Sequence, residues 1–347
     1  MYWTVSLNAG TLRTFPSRKV RTRGAGPMTL PSPTARALPY GALALTSALW
    51  ATSSVAARGL LDSLAPAWLT ALRWVLGLVA LAPFAWRDRR AIADALARHP
   101  RSFAAFAIVG FAPQTYLTYL GLSGTTAINH GLLNSAIPVL VVVIAAALHR
   151  RRPRALELAG LALSLAGVLV IIARGRVATL AALDVNAHDL LILASMSVWA
   201  YYTVRLARRE DDLPFASFMF AAGLIGLAMI VPALAYEAAT HRVTMPGPGE
   251  WAGVAYLSVL PTLVAMALFA YGVRRAGPVQ AGLFIHLVPV FAALFATLLL
   301  GETLHAFHAA GFAMVACGAI LGCLRPERDA EHGTRIAATR GPHASRV

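Results

Sequence analysis

Apolar residues in this chain come in long blocks, not at the alternate or every-third-or-fourth spacing of elements that bury one face. Short arginine-bearing segments separate the blocks. A helix needs about 20 predominantly apolar residues to cross the hydrocarbon core of a bilayer. Runs of that kind fall at 37–57, 66–86, 102–121, 125–147, 156–173, 188–206, 213–236, 251–272, 278–300 and 304–324. None shows the period-2 alternation of barrel strands, and backbone polar groups in lipid must be satisfied within their own segment. The pattern therefore predicts an all-α membrane protein with ten transmembrane helices. Pro113, Pro138, Pro232, Pro261 and Pro289 fall inside runs, a placement that membrane helices tolerate.

Composition agrees. Charged residues make up 13% of the chain, against about 25% in soluble domains. A net charge of +15 would suit a nucleic-acid binder. The arginines, however, sit in small clusters between apolar runs, which argues against that partner. Cys317 and Cys323 lie six residues apart in one run, roughly 9 Å along a helix axis and too far for a mutual disulfide.

Residues 1–36 are basic and free of acids, with no apolar segment of the signal-peptide kind. They read as a disordered basic tail, or as a start placed upstream of Met28, with a transit peptide as a third reading. Residues 325–347 read as a short disordered tail. Between the tails, cytoplasmic loops are expected to hold the excess of arginine and lysine. With the N-terminus inside, the alternate set of loops holds only Arg58, Arg174, Arg176 and Arg242, and Arg73 lies within a span. All other basic residues fall inside. The expected placement is the cytoplasmic (inner) membrane, with both termini cytoplasmic.

The two halves repeat. Pro138 and Pro289 set an offset of 151 residues, at which Gly121 meets Gly272, Gly131 meets Gly282, Gly160 meets Gly311 and Gly167 meets Gly318. At 149, Trp50-Ala51 meets Trp199-Ala200. Each half, 37–174 and 188–324, holds five spans. Five is odd, so the second copy enters from the opposite side, and inverted repeats are a physical route to alternating access.

The chain resembles the drug/metabolite transporter superfamily, in particular its EamA-type members, over about residues 37 to 324. The resemblance rests on Leu49-Trp50-Ala51, Ala71-Leu72-Arg73, Val198-Trp199-Ala200-Tyr201, and the stretch from His286 through Pro289 to Leu294 followed by Leu300-Gly301-Glu302. The chain departs from that pattern in two places. His149 and Arg150 to Arg152 stand where the second half has Gly301-Glu302, and His286 stands where such proteins often carry asparagine or another small polar residue. The resemblance implies two five-helix repeats that export or exchange amino acids, other metabolites or xenobiotics.

Candidate residues follow, each with a plainer alternative. Arg73, about 10 Å below one surface, is either a counter-charge for an anionic group or a structural arginine that snorkels or bonds carbonyls. His286 either relays a proton or joins helices. His130 and Asn134 share a helix face at i, i+4, and either bind substrate or bridge helices. Trp50, Gln114, Tyr116, Trp199 and Tyr256 are cavity candidates, with interfacial aromatic belts as the alternative for the rings. Tyr201, Tyr202 and Tyr271 read as belt residues. Pro138 and Pro289 either hinge or shape their helices. Gly160, Gly167, Gly311 and Gly318 form small-residue stripes for packing within the chain, with homodimerisation as the alternative. Glu302, His305 and His308 match no zinc spacing, so no metal is expected. No Walker sequence, nucleophile elbow or HExxH motif occurs, so neither a cofactor nor a catalytic residue is assigned. The expected partners are a small-molecule substrate and membrane lipid. The competing readings are an integral membrane enzyme and a non-transporting scaffold.

Overall fold

The computed structural model describes residues 33–125, 130, 133–150, 152–173, 176, 178, 186–209, 211–240, 243–300 and 305–323. The two tails and Gly301-Glu302 lie outside these. Every described element is a helix. The first half comprises α1 (Pro33–Leu60), α2 (Pro66–Arg87), α3 (Arg89–Arg98), α4 (Pro100–Gly110), α5 (Ala112–Leu122), α6 (Ile137–His149) and α7 (Ala155–Ile172). The second comprises α8 (Ala187–Leu206), α9 (Phe215–Met229), α10 (Val231–Thr240) and α11 (Pro248–Leu257). A π-helical turn (Ser258–Val264) follows, then α12 (Ala265–Ala276), α13 (Pro278–Ile285), α14 (Leu287–Leu300) and α15 (Ala306–Cys323).

Among the described residues, five helical stretches are long and apolar enough to cross a membrane: Pro66–Arg87, Pro100–Leu122, Ala155–Ile172, Pro248–Ala276 and Ala306–Cys323. The pair α9 and α10, bent by 41°, makes a sixth. The other four apolar runs are helical but interrupted or more polar. Helices α1 and α8 carry Thr46, Ser47, Ser53, Ser54, Asp189, Ser195 and Thr203. Turns at Ser135-Ala136 and at His286 break the runs through α6 and through α13–α14. Helix α3, read in the sequence only as a loop, is short and mostly exposed, and rests on Ala95.

The prolines act differently from the interior kinks the sequence suggests. Pro138 and Pro289 lie in the first turns of α6 and α14, where a missing N–H costs nothing. Pro113 likewise opens α5, after a break at Phe111. Pro261 sits in the π-turn. It has no N–H for an α-helical bond to the Leu257 carbonyl; in the π-turn that carbonyl lies five residues before Thr262, whose hydroxyl donates to it at 2.6 Å.

Contacts between the halves come in reciprocal pairs. On α7 and α15, a Cβ on Gly160 would stand 2.5 Å from the Gly318 carbonyl, and one on Gly318 would stand 2.6 Å from the Gly160 carbonyl. Gly167 and Gly311 repeat this, at 2.8 Å each way. Since Gly160 corresponds to Gly311 and Gly167 to Gly318, the two helices run antiparallel about a local two-fold. Gly121 abuts Ile192, and its counterpart Gly272 abuts Leu43, the counterpart of Ile192. Thr46 Oγ1 donates to the Ala265 carbonyl at 3.3 Å, and Ser195 Oγ donates to the Gln114 carbonyl at 3.3 Å. Residue i touching j′ while j touches i′ is the contact pattern of an isologous interface.

The same relation holds at the ends of α2 and the α9–α10 pair. The Glu237 carboxylate accepts from the backbone N–H of Ala67, at 2.9 Å to each oxygen, and of Trp68 at 3.2 Å. It therefore caps α2, whose N-terminal N–H groups have no partner within the helix. At the opposite end Asp88 Oδ2 accepts from the Ser217 hydroxyl at 2.6 Å. Each half thus ends its second span on an acid that holds the start of the other half's second span.

Lipid tails supply no hydrophobic force between helices, so close backbone packing holds α7 against α15. Gly318→Val is expected to cost about 1–3 kcal/mol or more through overpacking against backbone that cannot yield. Gly59→Ala, with nothing within 4 Å of the added carbon, should be neutral. Thermal unfolding of the detergent-solubilised variants reads the difference.

Candidate functional site

A cavity of about 140 Å³ opens between the halves. A water needs roughly 10–15 Å³ of such space, so the cavity suits a solute of amino-acid size. It runs from mid-bundle, at Trp50, Gln114, Trp199 and Pro261, toward the end where α1 and α5 finish, at Ala57 and Leu122. That end is the one away from the arginine clusters. Two irregularities border its middle: Gly110, at the break before α5, and Pro261, in the π-turn of the other half, both line it. Discontinuous helices in corresponding positions of two repeats are where transporter folds place their binding sites.

The wall is polar at chosen points. Trp50 Nε1 donates to the Pro261 carbonyl at 3.0 Å. Gln114 Nε2 donates to Ser195 Oγ at 2.9 Å and to Thr118 Oγ1 at 3.1 Å. Arg73 Nε donates at 2.6 Å to Thr262 Oγ1, which itself donates to the Leu257 carbonyl. One terminal nitrogen of Arg73 donates to the Tyr119 hydroxyl, and the guanidinium lies over that ring. Among the described residues the hydrogen-bond partners of Arg73 are neutral hydroxyls and no carbonyl.

Toward the arginine-bearing end, aromatic rings close the cavity. Trp50 meets its own counterpart Trp199 edge-on at 5.3 Å, and both meet Phe269, at 5.1 and 5.6 Å. Beneath them Tyr202 packs on Trp199 at 4.9 Å and against Phe106 and Phe111, and Phe218 contacts Phe103, Phe106 and Phe111. Arg209 seals the layer. It lies 4.4 Å over the Phe218 ring, pairs with Asp211 at 3.0 Å and donates to the Leu213 carbonyl.

Of the residues singled out in the sequence, Trp50, Arg73, Gln114, His130, Asn134 and Trp199 line this cavity. Tyr116, Tyr256 and His286 do not. Tyr256 bonds the Thr52 hydroxyl. His286 is 1% exposed, with Nδ1 2.6 Å from Ser164 Oγ and Nε2 3.0 Å from the Ser135 carbonyl. Ser135 is its counterpart at the repeat offset, so the histidine pins three segments beside the local two-fold, behind the wall. Tyr202 belongs to the closing layer, fully buried, and not to an interfacial belt.

The chain belongs to the EamA-like transporter family. That family's pattern matches twice, over residues 38–173 and 186–322. An "Uncharacterized transporter" of Archaeoglobus fulgidus is 28% identical over 80% of this chain and 95% of its own length. A "Probable terminal-alkyne amino-acid exporter" of Streptantibioticus cattleyicolor is 28% identical over 81% of this chain and 91% of its own. An inner membrane transporter of Escherichia coli, YedA, is 30% identical over 44% and 48%. A solved crystal structure with a TM-score of 0.63 covers 84% of this chain and 96% of its own, at 20% identity, and shares this chain's fold.

Sequence reasoning missed the buried acids that brace this family member. Glu157, Asp189 and Glu237 are all under 5% exposed, at helix ends. Asp189 accepts from Thr125 Oγ1 and from the Asn186 N–H at 2.9 Å. The signal was there: each acid falls at or just beyond the end of an apolar run, and Glu237 lies one residue past 213–236. Among the described residues no three His, Cys, Asp or Glu side chains converge.

Glu237→Ala strips the α2 N-terminus of its acceptor and is expected to cost about 1–2 kcal/mol, read as a lowered midpoint of thermal unfolding. His286→Gln, which keeps a donor for the Ser135 carbonyl, should leave any pH-gradient dependence of uptake unchanged. Abolished dependence would restore a relay role to the histidine.

Proposed function

We propose that this protein is a secondary transporter of small metabolites, amino acids among them, working as an exporter or exchanger. In this reading ten membrane spans form two five-span repeats of inverted topology, with both termini cytoplasmic. The reciprocal contacts between the halves carry the proposal. A local two-fold that relates antiparallel helices lies in the membrane plane, and a cavity on it can open to either side by equivalent movements. The exchange of access replaces one set of interhalf contacts with its mirror set.

On this topology the arginine-rich end is cytoplasmic, so the cavity faces outward. The aromatic layer around Tyr202 and Phe218 is the closed cytoplasmic gate. Glu237 is then the latch on the outer ends of α2 and α10, and Asp88 the latch between the cytoplasmic ends of α2 and α9. One feature of the gate favours movement: the Tyr202 hydroxyl is buried with no hydrogen-bond partner among the described residues. Such a group costs about 1–3 kcal/mol, and inward opening would hydrate it. The described lining of the cavity holds no acid for catalysis, and its closure toward one side favours a carrier over a membrane enzyme acting at one interface.

Counterflow into proteoliposomes preloaded with unlabelled amino acids is the direct test. Trans-stimulated uptake of a labelled amino acid is expected; catalytic conversion without movement would overturn the proposal. In the same assay Tyr202→Phe should slow exchange while raising the unfolding midpoint by a few degrees, about 1 kcal/mol. Faster exchange with lowered stability would contradict the gating role.

A further inference from the structure

Among the described residues that line it, the cavity is cationic and holds no acid. Arg73 is the one Arg, Lys, Asp or Glu among them. Its two identified hydrogen-bond partners, Thr262 and Tyr119, are hydroxyls. They fix the guanidinium without neutralising it, and the second terminal nitrogen makes no hydrogen bond among the described residues. Holding an arginine at this depth is costly unless an opposite charge or water reaches it. A guanidinium presents a planar fork that matches a carboxylate.

Other wall groups are free as well. His130 Nε2 is buried and has no partner among the described residues. Gln114 spends its amide N–H groups on Ser195 and Thr118, which leaves its carbonyl oxygen as an acceptor at the wall. The Asn134 amide makes no hydrogen bond among the described residues. Trp50, Trp74 and Trp199 supply apolar faces.

Resting on the transporter reading of this cavity, we infer that it selects solutes bearing a carboxylate, anchored by Arg73, with an apolar or aromatic remainder against the tryptophans. His130 and the two amides serve hydroxyl or ammonium groups on the same solute. An ammonium without a carboxylate would meet a repelling guanidinium and, among the described lining residues, no acid to pair with. Neutral and zwitterionic carboxylates of amino-acid size fit; amines and polycations do not.

The test uses the purified full chain and three probes of one shape: phenylalanine, 3-phenylpropionate and phenethylamine. Binding is read from quenching of tryptophan fluorescence, with Trp50 and Trp199 in the wall, and flux is measured separately in proteoliposomes. Both carboxylates are expected to bind at least tenfold more tightly than phenethylamine in the unmodified protein. Arg73→Gln should weaken carboxylate binding tenfold or more and leave phenethylamine unchanged or improved, and Arg73→Lys should fall between. Equal or tighter binding of the amine overturns the inference without any variant, as does failure of all three to bind. Carboxylate binding with no flux upholds the anchor and overturns the transporter reading. Flux of the amine in preference to the acids upholds transport and overturns the anchor. Should Arg73→Gln fail to fold, the comparison of probes on the unmodified protein still decides.

Discussion

Helices in a bilayer gain nothing from leaving one apolar medium for another, so a bundle must be held by close backbone approach and by polar groups that find partners across the interface. In this chain both devices are used twice. The α7–α15 seam, where Gly160 and Gly318 stand backbone to backbone, has its own counterpart in Gly167 and Gly311. The hydroxyl bonds of Thr46 and Ser195, the seats of Leu43 and Ile192 against facing glycines, and the acid latches of Asp88 and Glu237 follow the same rule. Contacts this consistent leave little freedom in how the halves dock, and they put residues of equal rank, Trp50 with Trp199 and Ser135 with His286, face to face near the axis.

The cavity grows out of the places where regular helix fails. Pro113 and Pro261 interrupt the corresponding helices of the two halves. Side chains beside both prolines bond backbone carbonyls and then serve the cavity wall. Thr262 donates to the Leu257 carbonyl and accepts from Arg73; Thr115 donates to the Phe111 carbonyl, which its own N–H also reaches, and accepts from Trp74 Nε1 at 3.2 Å. Helices α1 and α8 are less apolar than their neighbours for the related reason that their serines and threonines face partner carbonyls and the cavity.

Much of this was legible in the chain. Block hydropathy gave the helical class, the offset near 150 residues gave the repeat, and the glycine pairs Gly160/Gly311 and Gly167/Gly318 marked the seam before any contact was known. Six of the nine candidate cavity residues face the cavity because they are polar or aromatic side chains deep in apolar runs, where such groups are expensive unless useful. The failures have equally definite causes. His286 satisfies that rule but spends both ring nitrogens on helix bridging, which depends on Ser164, a residue 122 positions away. Tyr202 lies near a helix end in sequence yet under a loop held by Arg209 in space. Glu237 escaped because hydropathy windows stop at the first acid, while the acid belongs to the bundle through a helix start 170 residues earlier.

The central claim is that the two ends of this bundle exchange roles about the two-fold. Paired spin labels measure it most directly: one pair at Arg58 and Tyr236, at the end where the cavity opens, and another at Arg90 and Arg208, at the arginine-rich end, with distances recorded in nanodiscs with and without saturating amino acid. The account predicts two populations at each end that shift in opposite senses, the first pair closing as the second pair opens. A single unvarying distance at both ends, or both pairs lengthening together, would contradict it.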